Sequence, residues 1–486
     1  MKTRDFEKNN GASVAVIGGG ITGLTAAFHM QERGIPVTVY EASGRVGGVI
    51  KSIEHGGYLA ESGPNTILET SPKVANLVAD LGLESRRLYS DPAAKNRYVV
   101  HDRKLVNMPS SPLGFVATPL LSTAAKLRLL VEPFIAPAPE IWEESVAQFA
   151  VRRFGREFLD HAIDALVSGV YAGDPERLSV PHAFPHLRRL EQRYGSLIKG
   201  QILDARARAR GREDAKPNAP KFSFDRGLQV LTDTLYRRIS QNVRLFAPVV
   251  EITQTESCWV ITTDECGIRE QHRHSSVLYA GTAFRLPQIN LVSGRYVNAL
   301  PLTRIQYPPV ASVVLGYRRD QVQHTLDGFG MLIPRREGFN ILGTIFSSSL
   351  FPNRAPADHI TLTSHLGGAR SPESALRPES ELFRLARADL RELLGVTGQP
   401  TFEHCTVFPK AIPQYEVGFG RFRTLMNEIE NKAPGLFLAG HYRDGISLAD
   451  SIVSAYAAAE RIDRFLVTAS IDSVSSDLEL VTQEAA

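Results

Sequence analysis

A chain of 486 residues, 43% of them hydrophobic, can build at least two domains with sizeable cores and does not have the composition of a disordered protein. Its 55 basic and 52 acidic side chains leave a net charge of +3, which gives no basis for nucleic-acid binding. Cys258, Cys266 and Cys405 form neither a metal-ligand spacing nor a disulfide framework, and no run reaches the ~20 apolar residues of a membrane span.

The cysteine pattern makes a reducing cytoplasm the expected compartment, and the polar segment Met1 to Gly11 does not read as a secretory signal. The first element is an apolar strand, Val14 to Ile17, which runs into Gly18-Gly19-Gly20-Ile21-Thr22-Gly23 and opens a helix. This G-x-G-x-x-G spacing suits a dinucleotide pyrophosphate. Gly18 permits the tight turn, Gly20 lets the phosphates approach the backbone, Gly23 lets the helix pack on the strand, and the N–H groups of the helix start face the negative charge. A second strand, Val37 to Tyr40, ends at Glu41, about 20 residues on, where a carboxylate can accept from ribose hydroxyls. The next stretch, Glu41-Ala42-Ser43-Gly44-Arg45-Val46-Gly47-Gly48-Val49, adds a cation and a bare-backbone doublet that a plain NAD site does not need. Arg45 offers a rigid fork for diphosphate or adenosine oxygens.

A turn cluster, Gly63-Pro64-Asn65-Thr66, follows a short strand and reads as a loop of defined shape. A helix is predicted from Pro72 to Leu81, prolines punctuate apolar segments from Pro109 to Pro139, and Ser145 to Leu166 has an amphipathic helical pattern. Another helix is predicted from His186 to Ala209, with Arg206, Arg208, Arg210 and Arg212 at and just past its end, read as a solvated helix end ahead of a contact with a membrane surface or an acidic ligand. Strands return at Val243–Phe246, Val249–Ile252, Trp259–Thr262 and Val277–Ala280, and a second sheet region spans Val310 to Gly368. Leu436 to Gly440 reads as a buried strand, Gly445 to Asp450 starts a helix running through Ala459, and Ser470 to Ala486 is expected to be disordered.

The fingerprint, the Arg45-x-Gly47-Gly48 continuation and the segment Gly445 to Asp450 together resemble the flavin-containing amine oxidase superfamily. Within it, Gly63-Pro64-Asn65, Pro92 to Arg97, Ser168 to Pro175 and Ile345 to Pro356 resemble the oxygen-dependent protoporphyrinogen oxidases, and the likeness extends from about Val14 to about Arg464. The resemblance implies an α/β fold: a Rossmann-like FAD-binding domain, an interleaved mixed-sheet substrate domain and an inserted helical domain. The expected FAD-binding parts are 12–90, 222–285 and 426–467, and the substrate-domain parts are 91–109 and 286–425. Between them fall a helical, membrane-associating domain at 110–184 and a helix with a basic loop at 185–221; a disordered tail closes the chain at 468–486.

FAD is the implied cofactor, held by Gly18, Gly19, Gly20, Ile21, Thr22, Gly23, Glu41, Ala42, Arg45, Gly47, Gly48, Val49, Gly63, Pro64, Asn65, Thr66, Val249, Ile446, Ser447 and Leu448. No cysteine lies between Gly440 and Ala455, so the attachment is expected to be non-covalent. Arg97 matches an arginine that pairs with a substrate propionate, Leu332 and Phe351 match apolar residues that sandwich the macrocycle, and Gly169 and Gly173 match a loop that gives it clearance. The implied reaction is oxidation of protoporphyrinogen IX by molecular oxygen in haem biosynthesis, by three two-electron steps that release hydrogen peroxide. The alternatives are coproporphyrinogen III oxidation, a flavin amine oxidase or carotenoid desaturase, and a flavin-fold carrier without activity. No protein base is assigned, no metal is expected, and His441 is read as structural. The resemblance also leaves room for a homodimer and for peripheral contact with the inner face of the cell membrane, through Pro112-Leu113-Gly114-Phe115-Val116 and Leu120-Leu121.

Overall fold

The nucleotide sheet begins where the chain is most apolar. In the computed structural model, which describes residues 12–109, 114, 118–139, 142–209 and 219–484, Val14–Ile17 is buried along its whole length. A strand covered on both faces can be this apolar only in the middle of a parallel sheet. Its neighbours are Val37–Tyr40 and Ser276–Tyr279, with Val243–Arg244 and Leu436–Leu438 at the edges, and every pairing is parallel. One sheet thus draws strands from three separated parts of the chain. The helices Ile21–Glu32 and Leu448–Glu484 pack together over it, their apolar faces closing one core.

The final helix starts at Leu448, inside the expected Gly445–Asp450 segment, and runs on past Ala459 to Glu484. The physical reason is in the sequence: no glycine or proline interrupts residues 448 to 484.

A seven-stranded mixed sheet forms the second layer system. Its order is Phe402–Phe408, Val310–Arg318, His359–Gly367, Ile341–Phe346, Gly328–Leu332, Asn96–His101, Lys104–Asn107. Alternation sorts its residues onto two faces. Ala311, Val313, Leu315, Tyr317, Leu362 and Met331 point one way and pack on the helix Glu379–Leu394. The other face follows from the register. Thr406, Ser312, His365, Gly343, Leu332 and Val99 form one cross-strand row, and His404, Val314, Thr363, Ile345, Gly330 and Arg97 form the next. This second face looks toward the nucleotide-binding half: Val314 packs with Tyr58 and Ala60 of the Tyr58–Glu61 strand. Ser62 Oγ lies 3.3 Å from His404 Nε2.

The inserted helices are shorter than the periodicity suggests. The Ser145–Leu166 pattern is broken at Gly155, where φ is +93°, into Val146–Phe154 and the segments that lead to Asp164–Tyr171. The predicted helix His186–Ala209 is two helices, Pro185–Tyr194 and Leu197–Ala209. Gly195 ends the first in a left-handed conformation, and Ser196 Oγ accepts from Lys199 N at 3.1 Å to start the second. Of the apolar residues expected at a membrane surface, Leu120 and Leu121 are core residues, packed with Val99, Ala125 and Ala165. Pro112, Leu113, Phe115 and Val116 lie outside the described residues, as do Arg210 and Arg212.

Candidate functional site

The glycine fingerprint is shaped by contacts that admit no side chain. Gly18 has φ +107°, and a Cβ there would lie 3.1 Å from Ala280 O. At Gly23 a Cβ would sit 1.9 Å from Gly18 O, so the helix can lie this close to the strand end only with glycine in place. Gly20 is different. A Cβ there would meet nothing within 4 Å, and Gly20 caps the 12-residue helix without a side-chain cap bond. The first intrahelical bond is donated by Leu24 N to Gly20 O, so the amides of Ile21, Thr22 and Gly23 lack helical acceptors.

Two further segments close around this opening. Gly47 N donates to Gly19 O at 2.8 Å, and Gly48, with φ +58°, is placed against Gly20. Glu41 Oε2 accepts from Gly19 N at 2.7 Å, while Oε1 accepts from Ser43 N at 2.9 Å and Ser43 Oγ at 2.7 Å. Arg45 donates to Val46 O at 2.9 Å, Ile50 O at 3.1 Å and Gly48 O at 2.5 Å, so it holds the loop in shape. Ala42 and Val49 are exposed on that loop. From the C-terminal side, the Cβ position of Gly440, whose φ is +117°, lies 3.5 Å from Thr22 Oγ1. Ser447 Oγ donates to Asp450 Oδ2 at 2.7 Å and accepts from Asp450 N at 3.0 Å, a reciprocal cap that starts the helix and leaves Ile446 and Leu448 partly exposed beside it. Val249 is brought near Glu41 because Ala247 N donates to Glu41 O at 2.9 Å.

These residues fit a flavin dinucleotide. The cradle over Gly20 is bare, the helix start offers unshared amides, and acidic and glycine-rich loops flank it. Gly63, Pro64, Asn65 and Thr66 continue the opening toward the long sheet: a Cβ on Gly63 would lie 2.5 Å from Val49 O, and Asn65 Nδ2 donates to Gly63 O at 3.1 Å.

The residues expected to hold the substrate gather on the sheet face that looks at this loop, with one exception. Gly169, exposed near the end of the helix Asp164–Tyr171, lies over Leu332, whose Cδ2 is 2.3 Å from where a Cβ would be. That helix is pinned to the sheet by Asp164, which accepts from Arg335 N at 2.6 Å and Arg370 Nη2 at 2.9 Å. Phe351 is buried with Ala94 and Leu350, next to Phe329 and Ile345, and the Arg354 guanidinium lies 5.3 Å from its ring centroid. Arg97 is exposed on the same face and has no carboxylate partner among the described residues. Gly173 is the exception, buried where a Cβ would meet Gln414 Oε1 at 2.6 Å.

Two features of the site carry no sequence signal. His365 sits between Ser312 and Gly343 in the central row and is half-buried. It has no hydrogen-bond partner among the described residues, and burial pushes its imidazole down to about 4. Glu61 lies beneath the flavin-side loop, accepting from Leu228 N and Ser52 Oγ and facing Arg354 at 3.8 Å. Burial raises its carboxyl to about 7 against the opposing pull of Arg354. Neither position shows in a strand pattern, since alternation gives a face but not what lies across from it.

A parallel sheet carrying a bare glycine turn, joined to a mixed sheet whose polar-and-glycine face covers it, defines a dinucleotide-binding oxidoreductase of the flavin class. The chain belongs to the flavin containing amine oxidoreductase family, which its residues 21–463 match. It is 34% identical to protoporphyrinogen oxidase 2, chloroplastic/mitochondrial, of Arabidopsis thaliana, over 97% of this chain and 98% of that one. It is 30% identical to coproporphyrinogen III oxidase of Bacillus subtilis (strain 168), over 90% and 95% of the two chains. A crystal structure from Exiguobacterium sp. 255-15 shares the fold with a TM-score of 0.78 at 22% identity, covering 94% of this chain and 99% of that one. Among the described residues no helix is long and apolar enough to cross a membrane.

Proposed function

We propose that the chain oxidises protoporphyrinogen IX to protoporphyrin IX with non-covalently held FAD, consuming three molecules of oxygen and releasing three of hydrogen peroxide. The observation that carries this reading is the sheet face itself. Leu332 and Ile345 give the face apolar area, Gly169 and Gly343 carry no side chain beside Leu332, and Arg97 stands at its edge as a cation without a carboxylate among the described residues. A flexible macrocycle fringed by propionates needs that combination of apolar breadth and a single-sided anchor. When bound, FAD supplies two-electron oxidation, which the porphyrinogen requires three times. The chain's own part is to orient and to exclude water. Arg97 holds a propionate by a charge-assisted pair, Leu332 gives the rings apolar contact, Phe351 backs the pocket from beneath, and Gly169 lets the Asp164–Tyr171 helix lie close to Leu332. Glu41, the Ile21–Gly23 amides and the Gly47–Gly48 loop would hold the dinucleotide.

The test is aerobic turnover of the FAD-loaded protein with protoporphyrinogen IX and coproporphyrinogen III side by side, read as porphyrin fluorescence above the spontaneous rate. Inertness toward both overturns the reading. Preference for the second substrate, favoured by the Bacillus subtilis relative, would replace the first. Arg97→Ala is expected to raise KM about tenfold or more while the flavin stays bound. Denaturation should release the yellow cofactor into the supernatant; colour retained on precipitated protein would contradict non-covalent attachment.

The reading includes a cytoplasmic enzyme resting on a membrane surface. Its support is the exposure of Leu127, Leu130 and Phe134, at 59%, 69% and 83%, on neighbouring turns of the inserted helices. Sedimentation with anionic vesicles should carry the protein down, and Leu130→Glu with Phe134→Glu should leave it in solution.

A further inference from the structure

Lys221 opens the strand Lys221–Phe224, the middle strand of a small sheet with Ile67–Leu68 and Arg87–Tyr89. Its backbone is fixed on both sides: it pairs with Leu68, and its carbonyl accepts from Ser90 N at 2.8 Å. The ammonium reaches away from this sheet and lies 5.4 Å from the ring centroid of Phe329. Phe329 adjoins Gly330, the register partner of Arg97, and packs with Ala94, Leu350, Phe351 and Ile345. Lys221 and Arg97 therefore border one apolar cluster from two different sheets. Burial, and after it the charge of Arg97, lowers the proton affinity of the Lys221 ammonium.

What distinguishes the pair is the absence of an acid. By contrast, the buried Arg153 is matched by Glu191 and the half-buried Arg370 by Asp164. Lys221 and Arg97 have no carboxylate partner among the described residues, although Asp91 and Asp327 flank this end of the sheet. Asp327 is engaged by Tyr98 and Asn96, and Asp91 Oδ1 accepts from Ala93 N. Two neighbouring cations over an apolar floor repel one another until an anion enters between them.

We propose that Lys221 is a second carboxylate anchor of the substrate pocket, which together with Arg97 takes two carboxylates projecting from one edge of a macrocycle lying on the Phe329 and Ile345 surface. The proposal rests on the porphyrinogen reading and deepens it, since it names a dicarboxylate edge as the feature recognised. A point-charge ammonium and a forked guanidinium suit two separate carboxylates better than one shared group.

The experiment uses full-length, FAD-loaded protein as wild type, Lys221→Met, Lys221→Gln and Lys221→Arg. KM and kcat are measured with both porphyrinogens, and dissociation constants are measured in the dark for free-acid porphyrins and their methyl esters. Neutralising Lys221 should raise KM and the free-acid dissociation constant about tenfold, with kcat within about twofold and flavin content unchanged. Lys221→Arg should restore most of the loss, and ester binding should be the same in all four proteins. Should Lys221→Met fail to fold, Lys221→Gln carries the comparison. The anchor is overturned if free-acid binding and KM stay within about twofold of wild type in a neutral variant that retains flavin, or if ester binding falls equally. A wild type inert to both porphyrinogens overturns the porphyrinogen reading alone; a free-acid binding loss confined to the neutral variants would then still leave Lys221 as an anchor for a dicarboxylate ligand.

Discussion

At the scale of single residues, the glycines separate those that permit the fold from those that clear a surface. Gly23 permits the fold: its Cβ would meet backbone, Gly18 O at 1.9 Å, and backbone at the end of a central strand cannot yield. Gly23→Ala should cost about 1–3 kcal/mol of stability and abolish flavin retention, read from the absorbance ratio of flavin to protein after gel filtration. Gly169 clears a surface: its Cβ would meet only the Leu332 side chain, which can turn aside. Gly169→Ala should therefore keep flavin and the unfolding midpoint near wild type while raising KM for porphyrinogen; unchanged kinetics would remove Gly169 from the pocket. The glycine spacing was legible in the sequence because each position answers a local backbone need. Arg45 was legible only as a charge. That its guanidinium is shared among three carbonyls of its own loop depends on how residues 46 to 50 fold back, which no spacing encodes.

At the scale of elements, the inserted helices are organised by a buried charge network rather than by apolar periodicity alone. Arg153, fully buried, donates to Glu191 at 2.5 and 2.8 Å, to Glu132 at 3.2 Å, and to the carbonyls of Ile135 and Gly195 at 3.0 Å. Glu132 in turn accepts from Ser196 Oγ and from the amides of Leu197 and Ile198, so one carboxylate starts the Leu197–Ala209 helix. This explains why the single helix expected from His186 to Ala209 divides at Gly195. The break serves a partner more than 60 residues earlier in the chain, and a local window cannot show it. Removing one member of such a network leaves buried charge unpaired, so Arg153→Met should lose about 3–5 kcal/mol in urea unfolding. Arg156→Met, whose partners Asp160 and Glu176 lie at the exposed surface, should lose under about 1 kcal/mol. The strand Ile268–His274 was illegible for a simpler reason: its sequence, Ile-Arg-Glu-Gln-His-Arg-His, is that of an exposed edge, and its structure comes from pairing with Trp259–Glu265.

At the scale of the whole molecule, the interleaving was legible because the strands of the parallel sheet announce themselves as apolar runs far apart in the chain, and only a shared sheet buries all of them. What it does to stability was not. Bringing distant segments together buries or half-buries three histidines without carboxylate partners among the described residues: His274 against Tyr40, His365 in the long sheet, and His441 beside Tyr307 and Tyr442. Burial pushes each imidazole from 6.5 down to about 4. A depressed histidine is neutral in the folded protein and protonated in the unfolded chain between those values. Its contribution is therefore fully present above pH 6.5 and lost as the pH falls toward 4, at about 1.4 kcal/mol per pH unit for each proton taken up on unfolding. Glu61 acts with the opposite sign. Its carboxyl, raised from 4.5 to about 7, stays protonated in the fold while the unfolded chain ionises, so stability falls as the pH rises through that interval. Three groups against one should place the stability maximum near neutrality, with a steep acid limb and a shallow alkaline one. Thermal midpoints of the flavin-loaded protein from pH 4.5 to 8 read this directly. His365→Phe should make the acid limb shallower, and Glu61→Gln should flatten the alkaline limb. A symmetrical profile unmoved by either change would mean that water reaches these groups in the folded protein.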